Sequence, residues 1–353
     1  MLVSPKQLRI ESREPPAAEI GGITLTTWRL IALGLGLVVL AAIPFVLKSF
    51  FIFQITLALI YAIAILGLNL LTGFNGQFSL GHSAFYAIGA YTAAIMMDRF
   101  DIAYVWTLPA AAIVCFIFGF LFGLPALRLE GVYLALATFA LAIAIPQVLK
   151  SSLVEHWTGG VQGISIIKPD APFGLPLNSD QWLYVFTALV AAVMYLCAYN
   201  LVQSRTGRAL IAIRDAPIAA SAMGINVSLY KSLTFGVSAL YTGVAGALGA
   251  IAISFVAPDS FTYQLAVALF VGLVVGGAGS IPGTLFGGLF VLFVPNIAEQ
   301  FSKGLASAVY GIILLLVIYL MPTGAAGLVR LMSSRLVQRG RAGGQTGGSN
   351  ANR

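Results

Sequence analysis

The sequence has little charge for its size. Only 9% of its 353 residues are Asp, Glu, Lys or Arg, while 59% are hydrophobic and the mean hydropathy is +0.96. Soluble proteins average about 25% charged residues, and a soluble domain of this length could not bury so much apolar surface. The composition therefore excludes an ordinary soluble domain and indicates a polytopic membrane protein with one integrated membrane domain.

Motifs for several kinds of chemistry are also missing. The sequence has no GxxxxGK[ST] loop to hold ATP phosphates, and it has neither HExxH nor GxSxG. Its two cysteines, Cys115 and Cys197, form no CxxC or Cys/His cluster, which argues against a disulfide framework or a metal site. The basic residues lie in loops and tails without interleaved aromatic residues. We therefore expect no catalytic residue, cofactor, metal or nucleic-acid partner for this chain.

Ten segments are apolar enough to be interpreted as membrane helices, each of which needs about 20 residues. They cover residues 30–46, 51–71, 78–97, 104–127, 131–149, 182–202, 233–255, 264–276, 283–298 and 305–320. The eighth and ninth are short and interrupted by glycine, so half-spans are an alternative for them. The pattern predicts an all-α membrane domain over residues 29–328, a cytoplasmic arm over 1–28 and a disordered basic tail over 329–353.

The positions of Lys and Arg predict the orientation of these spans. With ten spans, most of the 19 basic residues fall on one side, and the others are Lys48, Arg99, Lys150, Lys168 and Lys303. Cytoplasmic loops carry the excess of positive charge. Both termini, and the loop over residues 206–231 between the sixth and seventh spans, are therefore predicted to be cytoplasmic.

The ten segments contain none of the 12 Asp and Glu residues. Proton- and ion-driven transporters usually keep ionisable groups at membrane depth. His82 is the remaining candidate, and a hydrogen-bonded structural role is favoured for it over a proton relay. A protein of this kind that moves a solute uphill is expected to receive its energy from another polypeptide.

Uncharged polar residues gather between the second and third segments. The stretch LNLLTGFNGQFSLGH (residues 68–82) contains three glycines that interrupt the helix. Polar groups near irregular backbone line water-filled cavities in some membrane proteins, whereas a satisfied turn that packs the bundle is the alternative. The candidates for a path or gate are Asn69, Asn75, Gln77, Ser79 and His82. A second glycine-rich break, VVGGAGSIPGTLFGG (274–288), resembles the first only loosely.

The cytoplasmic loop TGRALIAIRDAPIAASAMGINVSLYK (206–231) contains the signals of a short helix. Asp215 precedes Pro217; Asp favours the N-cap, and Pro favours the first helical position. Gly224 suits the left-handed conformation that ends helices. These residues predict a helix over 217–223, which is either a solvated connector or a contact for a partner.

This loop resembles the coupling loop of ABC importer permeases. Their pattern Glu-Ala-Ala-x-x-x-Gly is matched at Ala219, Ala220 and Gly224, with Ile218 in place of Glu. The loop and three further stretches, LGLNLLTGFNGQFSLGHSAFYAIGAYTAA, LRLEGVYLALATFA and TGGVQGI, are similar to the M-type subunit family of branched-chain amino acid permeases. The resemblance covers about residues 59–320.

The resemblance implies a permease subunit in the bacterial inner membrane that is not itself an enzyme. It implies two cytoplasmic ATPase subunits that bind ATP and Mg, a second H-type permease subunit, a periplasmic binding protein and surrounding membrane lipid. The residues implied in coupling are Asp215, Pro217, Ala219, Ala220 and Gly224. Permeases for urea or short amides are a same-family alternative. A stand-alone secondary transporter would need coupling charges in the membrane, which these spans lack. A membrane enzyme would need a pair of catalytic groups, which the sequence does not offer.

Overall fold

The computed structural model describes residues 19–20, 23–24, 44, 47–129, 131–172, 177–301, 311–316, 319, 324–325 and 327. The chain forms two units, one of Met1–Ala42 with Val329–Arg353 and one of Ile43–Leu328. In the first unit, strand β1 (Glu19–Ile20) pairs with strand β2 (Ile23–Thr24) in antiparallel register. The features below all belong to the second unit.

The second unit is mostly helical. Its elements, in chain order, are α1 (Ser49–Leu68), a π-helical segment (Asn69–Phe74), α2 (His82–Phe100), α3 (Tyr104–Ala126), α4 (Val132–Leu149), α5 (Glu155–Thr158), strand β3 (Ile164–Ser165), α6 (Ser179–Gln203), α7 (Arg205–Asp215), α8 (Pro217–Ala222), α9 (Val227–Ile253), strand β4 (Phe255–Val256), a 3-10 turn (Pro258–Phe261), α10 (Tyr263–Gly276) and α11 (Gly283–Phe301). Strands β3 and β4 pair in antiparallel register.

Six helices in the described part of the chain are long and apolar enough to cross a membrane. They are Ser49–Phe74, Tyr104–Ala126, Val132–Leu149, Ser179–Gln203, Val227–Ile253 and Pro258–Gly276. These correspond to six of the predicted segments. The third predicted segment forms α2, whose last turns carry the charges of Asp98 and Arg99, and the ninth forms the shorter apolar helix Gly283–Glu299. The first and tenth segments lie largely outside the described residues, so an all-α membrane fold is supported and the count of ten stays a prediction.

Helix α9 lies at the centre of the bundle, and 83% of its 18-residue apolar stretch is buried. Small residues let neighbouring backbones approach it closely. A Cβ atom added to Gly89 of α2 would lie 2.1 Å from the carbonyl oxygen of Gly243, and one added to Gly246 would lie 2.0 Å from that of Tyr86. Because lipid supplies no hydrophobic force between helices, such close van der Waals packing is what holds membrane helices together.

Glycines also shape the loop between α5 and β3, which is the stretch TGGVQGI. Gly159, Gly160 and Gly163 have φ angles of 71°, 56° and 74°, which favour glycine. A Cβ atom on Gly163 would lie 2.4 Å from the carbonyl oxygen of Val256 in β4. The loop is thereby held against the segment that follows α9.

Candidate functional site

The first glycine-rich break interrupts the helical path between α1 and α2. Helix α1 runs into the π-helical segment, and residues 75–81 are not helical. Gly76 has a φ angle of 75°, which favours glycine and turns the chain away from the helix axis. A broken helix leaves backbone groups without intrahelical partners, and in a membrane protein these groups must bind elsewhere in the protein.

The second glycine-rich break contacts the first. It joins α10 to α11, and Gly277 and Gly279 have φ angles of 101° and 78°. The Asn69 side chain bridges the two breaks: its Oδ1 accepts the Gly279 amide hydrogen at 2.8 Å, and its Nδ2 donates to the Ser280 carbonyl oxygen at 3.0 Å. A Cβ atom added to Gly73 would lie 2.4 Å from the Gly279 nitrogen, so the backbones touch. We call Asn69, Asn75, Gln77, Ser79 and His82, with Gly279 and Ser280, the polar junction.

Asn75 and Gln77 are paired locally. Asn75 Nδ2 donates to Gln77 Oε1 at 3.1 Å, and Thr72 Oγ1 donates to the Gln77 carbonyl oxygen at 2.9 Å. Asn75 and Gln77 are 2% and 6% exposed. The Oδ1 atom of Asn75 is buried without a hydrogen-bond partner in the described part of the chain. These two side chains therefore stabilise the turn itself rather than link it to a distant helix.

His82 of α2 takes part in a chain of hydrogen bonds with Ser238 of α9 and Gly67 of α1. The hydroxyl of Ser238 in α9 donates to the Gly67 carbonyl oxygen of α1 at 2.7 Å, so its hydrogen is used. His82 Nε2 lies 2.7 Å from the same hydroxyl oxygen and must donate to it. The remaining ring nitrogen, Nδ1, lies 3.1 Å from Ser79 Oγ. Both ring nitrogens therefore have a hydrogen-bond partner.

Thr138 attaches α4 to the polar junction. Its Oγ1 accepts the Leu80 amide hydrogen at 2.9 Å and donates to the Ala135 carbonyl oxygen. A Cβ atom added to Gly81 would lie 2.7 Å from the Thr138 carbonyl oxygen. Sequence reasoning did not select Thr138, although it lies within LRLEGVYLALATFA, which could have drawn attention to it.

Helices α7 and α8 form residues 205–224, which we call the connecting segment; residues 214–219 and 221–224 of it are exposed. The predicted short helix is present as α8, and Gly224 has a φ angle of 84°. No atom lies within 4 Å of a Cβ added to Gly224, so glycine is favoured there by the φ angle and not by lack of space. The amide hydrogens of Gly224 and Ile225 bind the carbonyl oxygens of Ser221 and Ala220, which closes the helix end.

The prediction that Asp215 caps this helix is wrong. Asp215 is the last residue of α7, the N-cap of α8 is Ala216, and no side chain caps α8. The Asp215 carboxylate instead accepts from Arg214 Nε at 2.9 Å. Asp215 stands one residue before the N-cap position, so its carboxylate is not placed to accept the first amide hydrogens of α8.

The small residues of α8 do not share one exposed surface. Ala220 is 4% exposed, whereas Ala219 is exposed. Ile218 and Met223 are 85% and 84% exposed. Ala220 therefore packs α8 onto the protein, and the apolar side chains of Ile218 and Met223 face outward.

A cavity of about 180 Å³ lies between the polar junction and the connecting segment. Asn75 and Gln77 line it from the junction, Arg214 and Pro217 from the connecting segment, and Lys231 from α9. The cavity brings together two sets of candidate residues that the sequence had treated separately.

A second cavity, of about 530 Å³, lies beside the start of α6. Its charged side chains bind nearby groups: Lys168 pairs with Asp180, and Asp170 accepts from Ser179 Oγ at 2.8 Å. Since these groups satisfy one another, this cavity is a weaker candidate for the functional site than the polar junction.

Comparison with known proteins identifies relatives over most of the chain. The family described as branched-chain amino acid transport system / permease component matches residues 50–318. The high-affinity branched-chain amino acid transport system permease protein LivM of Salmonella typhimurium is 31% identical, over 83% of this chain and 74% of the relative. LivM of Escherichia coli is similar to the same extent, and LivH of Salmonella typhimurium is 28% identical over 77% of this chain and 93% of the relative. No solved structure matches the chain.

Proposed function

Because the chain belongs to the family of branched-chain amino acid transport permease components, we propose that it is the membrane-spanning permease subunit of an ATP-driven importer. Its substrates are branched-chain or related amino acids, and urea or a short amide is the same-family alternative. The family match over residues 50–318 carries this proposal, since those residues include both the polar junction and α8.

The proposed assembly places the energy source outside this chain. Two cytoplasmic ATPase subunits bind ATP and Mg, a second permease subunit of the H type completes the pathway, and a periplasmic binding protein delivers the substrate. In the described part of the chain no Asp, Glu, Lys or Arg side chain is buried, so none is placed to carry a coupling ion through the bundle. This supports an importer driven by partner subunits over a stand-alone secondary transporter.

Helix α8 is the proposed contact with an ATPase subunit. Ile218 and Met223 supply an exposed apolar surface on the connecting segment, and Gly224 ends the helix without a steric neighbour. Ile218 stands where the family pattern has Glu, so we propose that this contact is apolar at that position. Asp215, Pro217 and Ala220 position α8, because they end α7, begin α8 and pack α8 onto the protein.

The polar junction is the proposed cytoplasmic end of the substrate path. It contains no Asp, Glu, Lys or Arg, and one side chain, that of Asn69, makes the two hydrogen bonds that join its breaks, so the breaks can separate without breaking an ion pair. A zwitterionic amino acid with an apolar side chain suits a path with polar, uncharged walls. We propose ten spans in the bacterial inner membrane with both termini in the cytoplasm, an arm over residues 1–28 and a tail over 329–353.

The test of coupling uses the complete importer in proteoliposomes. Gly224→Pro cannot adopt the φ angle of 84° and loses the amide donor to Ser221, so we expect uptake to be abolished while the permease still reaches the membrane. Ala220→Glu buries a carboxylate and has the same expected result. Gly224→Asn is the control, because Asn tolerates the left-handed conformation. Substrate-stimulated ATPase activity and uptake retained by Gly224→Pro would contradict the coupling role.

Proteoliposomes that contain this chain alone distinguish the two transport classes. We expect no uptake driven by a pH or sodium gradient. Gradient-driven uptake without ATPase subunits would establish a secondary transporter and overturn the proposal.

A further inference from the structure

Arg214 lies where the connecting segment meets both glycine-rich breaks. Its Nη1 donates to the Gly73 carbonyl oxygen at 2.9 Å, and its Cγ would lie 2.8 Å from a Cβ atom added to Gly76. Its Nη1 would also lie 3.8 Å from a Cβ atom added to Gly279. The sequence had marked this residue only as a sign of the cytoplasmic side.

The Gly73 carbonyl is a natural acceptor for this arginine. Gly73 lies in the last turn of the π-helical segment, where terminal carbonyl groups lack a partner further along the helix. A guanidinium presents several donors in a fixed plane, so one nitrogen can be held by a neighbouring carboxylate while another donates to a second partner. Here the Asp215 carboxylate accepts from Arg214 Nε, and Arg214 Nη1 donates to the Gly73 carbonyl oxygen.

Arg214 is also the point at which the two regions are joined. Among the described residues, no other hydrogen bond links the connecting segment to residues 68–82. Beside this contact lies the cavity of about 180 Å³, which Pro217 lines from one side and Asn75 and Gln77 from the other. A displacement of the connecting segment therefore reaches the polar junction most directly through this side chain.

We propose that Arg214 is a positioning residue that transmits movement of the connecting segment to the two glycine-rich breaks. A shift of α7 and α8 displaces the Gly73 carbonyl through Arg214. Gly73 contacts Gly279, and Asn69 holds Gly279 and Ser280, so the second break moves with the first. This inference rests on the proposed function, since it needs an ATPase that moves the connecting segment.

The test compares Arg214→Gln with Arg208→Gln in the complete importer in proteoliposomes. Arg208 is a matched control because it is an exposed arginine of the same helix, and its Nη1 binds the nearby Gln203 carbonyl oxygen. ATP hydrolysis and substrate uptake are both measured, and their ratio is the readout. For Arg214→Gln we expect uptake per ATP to fall roughly tenfold or more with hydrolysis within about twofold of the unaltered importer, since the hydrogen bond from the charged guanidinium to Gly73 is lost. Arg208→Gln should leave the ratio unchanged.

Hydrogen exchange in the same complexes separates transmission from a purely structural role. In the unaltered importer, nucleotide should change amide protection in Asn69–Phe74 and at Gly279, and Arg214→Gln should remove that change. If Arg214→Gln does not assemble, both measurements are made on Arg214→Lys, where one ammonium replaces the guanidinium that binds two partners. Reduced uptake per ATP supports the inference. Uptake per ATP equal to that of the unaltered importer overturns it.

Failure of the inference is distinguishable from failure of the proposed function. An unaltered importer without ATP-driven uptake would refute the function. Normal uptake by the unaltered importer, together with an unchanged ratio in Arg214→Gln, would refute only the role of Arg214.

Discussion

Replacing Asn69 by alanine removes the side chain that joins the two glycine-rich breaks. Asn69 is fully buried, and its amide makes one hydrogen bond to the Gly279 backbone and one to the Ser280 backbone. Hydrogen bonds between membrane helices contribute about 0.6 kcal/mol each on average and about 1.7 kcal/mol at most, so loss of both should destabilise the protein by about 1–3 kcal/mol. Ser280 is 6% exposed and Gly279 is half-buried, so the released groups are only partly cut off from water and the cost stays within this range.

Asn75→Ala is the matched control for this change. Asn75 lies six residues further along the same break, is also buried, and makes one hydrogen bond, to the side chain of Gln77. Thermal unfolding of the purified protein in detergent should show a clear decrease for Asn69→Ala and a smaller one for Asn75→Ala. Equal unfolding temperatures for the two variants would refute the reasoning that Asn69 holds the breaks together.

Three further results are expected. Gly89→Ala should prevent formation of a monodisperse protein in size-exclusion chromatography, because its Cβ would lie 2.1 Å from the Gly243 carbonyl oxygen, whereas Gly311→Ala, with no atom within 4 Å, should behave normally. His82→Gln should be more stable to heat than His82→Ala, since the glutamine amide can still donate a hydrogen bond to Ser238. Equal thermal stability of the two variants would contradict the hydrogen-bonding role. Ile218→Glu should change the free energy of unfolding by no more than about 0.5 kcal/mol, because Ile218 is 85% exposed, and a larger loss in denaturant titration would mean that it packs against the protein.

Several features of this protein could be predicted because they depend on local composition. Hydropathy predicted six of the spans, since the length of an apolar run is a property of neighbouring residues. Helix α8 was predicted from Pro217 and Gly224, whose backbone preferences act at their own positions. The same local reasoning failed at Asp215, because the preceding helix continues through Asp215 and the N-cap falls on Ala216.

The polar junction shows the limit of this reasoning. Its residues were predicted as a group of candidates, but their contacts were not. Asn69 binds a residue 210 positions away, Arg214 binds one 141 positions away, and His82 contacts Ser238 across 156 positions. Nothing in the spacing of either partner indicates such pairs.

Composition and spacing thus determined the class of protein, most of its helices and the place of the exposed helix. The tertiary structure decided that the two glycine-rich breaks meet, that His82 contacts Ser79 and Ser238, and that Arg214 contacts the first break. The physical reason is that a broken helix leaves backbone donors and acceptors without partners, and only the packing of distant helices decides which side chains satisfy them.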